Sequence, residues 1–159
     1  MPEETPTPHV ELVPKTDAEV AAWLPVAMGL YEAARQEAGD TPEAAAAGRA
    51  ASEERFVPDG RLAEGQLLST ILADGEEAGW LWLGPWGEGS EWWVWDIRVH
   101  DDFRRRGIAR AALEQGERVA RDHGASALGL NVFGYNDGAI ALYRALGYRT
   151  TALHMMKEL

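Results

Sequence analysis

Three consecutive arginines, Arg104, Arg105 and Arg106, stand directly before Gly107 in the run DDFRRRGIARAAL, with Ala109 and Arg110 close behind. Four guanidinium groups around a glycine can hold an anion, because each is permanently charged and presents forked donors that match phosphate oxygens. Gly107 lets the backbone approach a phosphate closely, and Ala109 keeps the next turn free of bulk. The run falls between a predicted strand ending near His100 and a predicted helix beginning about Gly107. Such a junction aims unpaired N–H groups and the positive end of a helix dipole at one point. Charge alone also permits a solvated helix start balanced by Asp101 and Asp102. No Gly-Lys-Ser/Thr follows, so the run is not a P-loop; neither G-x-G-x-x-G nor G-x-S-x-G occurs.

The basic cluster is local. Residues 1 to 97 hold five Lys and Arg against nineteen Asp and Glu, a balance of −14, whereas residues 98 to 159 hold ten against seven, or +3. The two halves should favour ligands of opposite charge. A net charge of −11 argues against nucleic-acid backbone binding, which needs many cationic contacts, but not against a small polyanion. The chain contains no cysteine, which excludes disulfides and thiolate zinc sites. His9, His100, His123 and His154 have no metal-ligand spacing, and no metal is expected. The start MPEETPTPHVELV lacks the basic and apolar regions of a secretory signal, and no apolar run is long enough to span a bilayer. A cytoplasmic protein without membrane contact is expected.

The 159 residues suffice for one core. After a flexible tail over 1–8, a single domain over 9–159 is expected. HVELVP reads as a strand. Residues 15–40 have helical spacing, with Ala18, Ala22 and Val26 in register, interrupted at Pro25, which would kink or divide the helix. Thr41 and Pro42 open an alanine-rich helix to about Phe56. QLLSTILAD, AGWLWLG and EWWVWDIRVH form an antiparallel meander. A helix over about 107–122, the strand ALGLNVF, a helix over about 137–146 and a last strand YRTTALHMMKE then follow. Strands followed by alternating helix and strand indicate a mixed α/β sheet.

The run VHDDFRRRGIARAAL resembles the acyl-CoA pyrophosphate loop of the GNAT superfamily of N-acetyltransferases: Arg or Gln, two residues, Gly, one residue, Gly or Ala. Arg104, Gly107 and Ala109 occupy those positions. The downstream LGLNVFGYNDGAIALYRALGYRT resembles the family's next strand, helix and final LY…GY element. The similarity is strong over 91–151 and weak over 9–90. It implies an α/β fold with a mixed, mostly antiparallel central sheet of six or seven strands, about four flanking helices and splayed central strands.

It also implies roles. Acetyl-CoA would be the acyl donor, its pantetheine arm pairing with the backbone of Ile97, Arg98 and Val99. Its pyrophosphate would meet the N–H groups of Arg105, Arg106, Gly107, Ile108, Ala109 and Arg110, with the Arg104 side chain beside them. In ALGLNVF, Leu128, Leu130 and Val132 alternate onto one face and Gly129, Asn131 and Phe133 onto the other, so Asn131 would border the splayed gap, or else face solvent. Asn136 fits a helix N-cap and, by resemblance, a cofactor contact. Tyr143 shares a helix face with Ala139 and Ile140 and would protonate the departing thiolate; a core tyrosine is the alternative. Some members of the family carry a Glu base where this chain has Asn131. Asp96 and Glu91 on the preceding strand are substitutes, unless they are ordinary strand carboxylates.

Six of the seven tryptophans fall at Trp80, Trp82, Trp86, Trp92, Trp93 and Trp95. They would form the core, or else an aromatic wall able to hold an amine by cation–π contact. The charge split favours a cationic amine acceptor, either a small molecule or a peptide amine. The expected function is therefore acetyl transfer from the thioester to a primary amine, by direct attack in a ternary complex. A non-catalytic acyl-CoA-binding module is the alternative, and a homodimer is left open.

Overall fold

The computed structural model describes residues 6–159; residues 1–5 of the expected tail lie outside this range. The chain runs β1 (Val10–Pro14), α1 (Asp17–Glu37), α2 (Pro42–Phe56), β2 (Leu67–Ala73), β3 (Glu76–Pro85), β4 (Glu91–Val99), α3 (Ile108–Asp122), β5 (Ala127–Leu130) and α4 (Asp137–Ala145). Short 3₁₀ turns at Pro58–Gly60 and Asp101–Phe103 join α2 to β2 and β4 to α3. The strands form one sheet in the order β1-β2-β3-β4-β5. The first four are antiparallel, and β5 joins β4 in parallel. The sheet is thus mixed and mostly antiparallel, but it has five strands among the described residues, not six or seven.

The shortfall lies at the C-terminus. Residues 148–158, expected as a last strand, form no helix or strand, and all of them but Tyr148 are exposed. The strand expected over 127–133 also stops early, at Leu130.

Alternation along β3 divides the core. Leu81 and Leu83 face α3, in a cluster with Ile71, Val94, Ile108 and Leu113. Trp80 and Trp82 face the opposite way, packing with Val20, Trp23, Met28 and Phe56 of α1 and α2. α1 and α3 therefore shield opposite faces of the sheet, each with an apolar stripe.

α1 continues through Pro25 without dividing. Its buried positions are Val20, Trp23, Ala27 and Met28, while Ala18, Ala22 and Val26 face solvent. The missing proline N–H thus falls on the wet side of the helix, where water can satisfy the freed carbonyl. A capping box between Thr16 and Glu19 secures the start.

Gly116 brings α3 close to the sheet. A Cβ built there would lie 2.9 Å from Leu81 Cδ2 and 3.1 Å from Leu83 Cδ1. Replacing Gly116 by valine should overpack this contact and destabilise the fold by about 1–3 kcal/mol, which urea unfolding would measure.

Candidate active site

The site is built where β4 and β5 part. Their parallel register runs from Glu91 opposite Ala127 to Val94 opposite Leu130 and goes no further. β5 ends there, and from Trp95 onward the edge of β4 that faced it has no partner strand, which is where the expected splayed gap would lie.

A bulge coincides with the parting. On β3, Trp82 lies opposite Asp96 and Leu83 opposite Val94, which leaves Trp95 as the extra residue on β4. Cross-strand partners share a face. Val94 and Ile97 therefore point with Leu83 and Leu81 toward α3, while Asp96 points with Trp82 toward α1 and α2. Trp95 packs on that same side. Two neighbouring residues thus share one face, and β4 bends where its partner leaves it.

Asp96 accepts a 2.7 Å hydrogen bond from Trp80 Nε1. The residue as a whole is half-buried, but its carboxyl group lies deep among neighbouring atoms. Burial pushes that carboxyl above its ordinary value; the Trp80 hydrogen bond, the Arg98 charge and the Ile97 N–H pull the other way and do not offset it. Tyr143 approaches from the opposite layer. It packs on the α3-side core, and its hydroxyl pKa is raised, first by burial and then by the charge of Asp96. The two groups sense each other across the parted strands.

The arginine run follows directly where β4 ends. Gly107 is the N-cap of α3, in the left-handed region at φ 76°, and Arg105 has φ 61°. A non-glycine residue rarely adopts this conformation, so the loop holds its backbone in a costly shape. The cap of α3 is what sets it apart. Thr16, Thr41 and Asn136 accept N–H bonds at the starts of α1, α2 and α4, and each of those helices has an acid in its first turn. α3 has neither. Its first N–H groups, including those of Ile108 and Ala109, accordingly have no side-chain cap. Arg104 is held by Asp101 at 2.9 Å and by the Val99 carbonyl at 3.3 Å, Arg106 stacks over Phe103, and Arg110 pairs with Glu114 at 3.2 Å. Among the described residues Arg105 and Arg106 form no salt bridge.

Other predicted residues separate. Glu91 lies at the far end of β4, five residues and about 17 Å from Asp96 at ~3.3 Å per residue. It is exposed and away from the gap. Asn131 is exposed just beyond the end of β5, at the margin of the gap, with no hydrogen bond to a described residue. Asn136 caps α4 by accepting from the Ala139 N–H at 3.2 Å.

The tryptophans divide between the two roles. Trp80, Trp82 and Trp92 are buried in the core. Trp86, Trp93 and Trp95 form a partly exposed stack, with ring centroids 4.4 Å apart for Trp86 and Trp93 and 5.6 Å for Trp86 and Trp95. Phe56 joins Trp95 at 4.4 Å, and the Arg55 guanidinium lies over both rings. Trp95 Nε1 is buried without a partner. On the same side an open surface depression of about 450 Å³ is lined by Leu24, Glu53, Glu54, Val57 and Asp59 among others. Phe56, Arg55 and these acids escaped the sequence reading because an alanine-rich helix offers no motif. Among the described residues no group of three or more His, Asp or Glu is arranged to hold a metal.

A mixed α/β sheet beside an uncapped, arginine-flanked helix start is the arrangement that the resemblance to the GNAT superfamily implies. The acetyltransferase (GNAT) family profile matches residues 21–148. YdgE of Bacillus subtilis, named an uncharacterized N-acetyltransferase, is 36% identical over 109 residues, covering 67% of this chain and 69% of YdgE. YycN of the same organism, similarly named, is 33% identical over 95 residues, 58% of this chain and 61% of YycN. The YycN crystal structure superposes with a TM-score of 0.86 and 27% identity, over 95% of this chain and 99% of that one. The aminoglycoside N-acetyltransferase AAC(6')-Iy in complex with CoA shares the fold, with a TM-score of 0.61 and 16% identity over 96% and 95% of the two chains. The chain belongs to the GNAT acetyltransferase family and is an acyltransferase.

The raised Asp96 pKa has a consequence for stability. The native state holds a proton that the unfolded chain releases near the ordinary value of 3.8. The contribution of Asp96 to stability should be fullest below that value and be lost as pH rises toward the native pKa. Asp96→Asn, which keeps an acceptor for Trp80, should remove this fall; urea midpoints measured from acid to neutral pH would check it.

Proposed function

We propose that the protein is an acetyl-CoA-dependent N-acetyltransferase that moves the acetyl group to a primary amine by direct attack in a ternary complex. The observation that carries this reading is the parted β4–β5 edge opening directly into the uncapped start of α3. A thioester arm laid along Ile97, Arg98 and Val99 finds free backbone groups there. Its pyrophosphate reaches the N–H groups of Arg105, Arg106, Gly107, Ile108, Ala109 and Arg110, with Arg104 braced beside them. The bound CoA of AAC(6')-Iy supports a donor of this type on this fold.

The amine nitrogen attacks the thioester carbonyl carbon. A C–N bond forms, negative charge develops on the carbonyl oxygen, and a backbone N–H of β4 near Ile97–Val99 stabilises it. The oxyanion collapses, the C–S bond breaks, the Tyr143 hydroxyl gives its proton to the leaving thiolate, and the nitrogen, cationic after the attack, returns a proton to the tyrosinate directly or through water and becomes the neutral amide. An amine of pKa about 10.4 enters protonated and must lose that proton to attack. Asp96 is the acceptor we favour, directly or through water, because burial makes it a stronger base than an ordinary aspartate. Glu91 is too distant to share this role. Holding both reactants in one cleft supplies much of the remaining advantage.

The acceptor is a cationic small molecule or a peptide amine. The exposed stack of Trp86, Trp93 and Trp95 and the acids Glu53, Glu54 and Asp59 support a positively charged guest on the α1–α2 side. Sisomicin and CoA-linked acetylneamine stand in related folds, an independent precedent for amine guests.

Calorimetry with acetyl-CoA should give a binding isotherm for the native chain. Gly107→Glu, which adds bulk and negative charge to the loop, should weaken it by about a hundredfold or more, ~2.8 kcal/mol. Absence of binding by the folded native chain would sink the donor assignment. Tyr143→Phe should lower kcat by roughly 100-fold or more while leaving acetyl-CoA affinity unchanged; an unchanged rate across pH would remove Tyr143 as the acid.

A further inference from the structure

Trp80 and Asp96 are bonded without being ladder partners. Trp80 lies opposite Arg98 and Asp96 opposite Trp82, so the 2.7 Å bond from Trp80 Nε1 to Asp96 Oδ2 runs diagonally between β3 and β4. Only a long side chain with a donor at its tip spans that diagonal. Trp82, the direct partner, sends its own Nε1 to Gln66 Oε1 at 2.9 Å. A neutral amide thus satisfies one indole of this layer, and Trp23 Nε1 is buried with no partner among the described residues. An indole here does not require a carboxylate, and burying a charge beside it is the more costly choice. The bond therefore serves the carboxylate rather than the ring.

The Trp80 ring is fixed by its neighbours. It is 5% exposed, with the Trp23 ring edge-on at 6.3 Å and the His100 ring edge-on at 5.8 Å. Its N–H has one position, and so has the carboxyl group bonded to it. The other polar groups of this layer are engaged elsewhere or act only by their charge. Lys15 Nζ bonds to Thr70 Oγ1 at 2.7 Å, across the ladder from Trp80, and His100 Nε2 lies 4.0 Å from Glu77. From α2 the Arg55 guanidinium stands over Trp95 at 5.5 Å, and α1 contributes the apolar Val20, Trp23 and Met28. Arg98 on β4 and Tyr143 on α4 are the groups coupled by charge to Asp96.

We propose that Trp80 is a positioning residue for the transfer: its indole N–H fixes Asp96 by Oδ2 and leaves Oδ1 to take the amine proton at the gap. This rests on the reading of Asp96 as that acceptor. Indole suits the role because it is a donor only and does not titrate. It cannot compete for the proton, and its bond to Oδ2 persists when Oδ1 is protonated, so the geometry is the same before and after the step. A cation in its place would pair with the carboxylate and cancel the basicity that burial confers. The proton on Oδ1 passes to water after product release, since acetylation of a protonated amine liberates one proton for each amide formed.

Replacing Trp80 by its benzothienyl analogue, which has sulfur where indole has N–H, removes the donor and keeps the ring, whereas Trp80→Phe removes both. The Asp96 carboxyl carbon, followed by NMR in the ligand-free chain and assigned by its loss in Asp96→Asn, should titrate at higher pH in the analogue, its proton affinity raised about tenfold or more. In the native chain one indole proton should move as Asp96 ionises and cease to do so in Asp96→Asn, a readout that leaves Trp80 itself intact. An Asp96 titration unmoved by the analogue would overturn the proposal. So would indole protons that all ignore the ionisation of Asp96. With acetyl-CoA and sisomicin, the amine bound in a related fold, as the probe pair, the acid limb of kcat/KM should move together with the carboxyl titration. A carboxyl titration that moves while the limb stays fixed would remove Asp96 as the proton acceptor and the positioning role with it. Absence of turnover with this probe bears on the acceptor alone, because the two NMR titrations decide the role of Trp80 without it.

Discussion

Parallel pairing between β4 and β5 ends at Val94 and Leu130, and the site depends on that interruption. A continuous ladder would consume the backbone groups of β4 from Trp95 onward and press the two strands to within about 5 Å. Nothing could then lie between them. The Trp95 bulge works in the same direction, since a strand with an extra residue on one side bends away from the plane its neighbour follows. The bulge also decides which chemistry meets at the gap. Without it, Asp96 would share the α3 face with Val94, in an apolar layer with no indole donor. With it, Asp96 meets the Trp80 N–H from one layer while Tyr143 approaches from the other.

Charge is arranged around the same gap. The first 97 residues are strongly acidic, and the helix that starts beyond β4 is the one whose terminus is left without a cap. Glycine in place of a capping side chain costs a helix a few tenths of a kcal/mol. Three other helices in this chain avoid that cost with Thr16, Thr41 and Asn136, so the cost at α3 is a local departure from a rule the chain otherwise follows. The positive φ of Arg105 is a second such departure in the same loop. Both fit a loop shaped for a ligand that supplies the missing acceptors, since strain of this kind persists where the surrounding structure over-determines it.

The arginine loop was legible in the sequence because its chemistry is local: residue types, a glycine and a strand-to-helix junction lie within ten positions. The alternation of Leu128 and Leu130 was legible for the same reason. The bulge was not. Trp92, Trp93, Val94 and Trp95 are apolar without interruption, so a two-residue period cannot reveal an extra residue among them. The one available sign was Asp96 between Trp95 and Ile97, a carboxylate at a point where strict alternation gives no reason for one. Pro25 misled in the other direction, because its cost depends on which side of α1 it faces, and that is fixed by where Trp23 and Met28 find the sheet. The last strand was read from extended-chain residue types over 148–158, but those residues form no strand, because nothing in the pattern fixes a ladder for them to join.

The six clustered tryptophans illustrate how one composition serves two demands. A sheet covered by helices on both faces needs large side chains on both sides of its central strands, and β3 meets this with Trp80 and Trp82 on one side and Leu81 and Leu83 on the other. Rings of that size also set how far α1 and α2 stand off the sheet. Trp23 meets Trp80 and Trp82 edge-to-face at 6.3 and 5.7 Å, a geometry that fixes orientation as well as distance. Toward β4 the helices no longer cover the sheet completely, and the same residue type becomes the half-open stack of Trp86, Trp93 and Trp95. The core and the aromatic wall are therefore one continuous layer, closed over β3 and open over β4. Changes in the packing of Trp80 against Trp23 should pass through Trp82 and Phe56 to the wall, and through the indole N–H to Asp96.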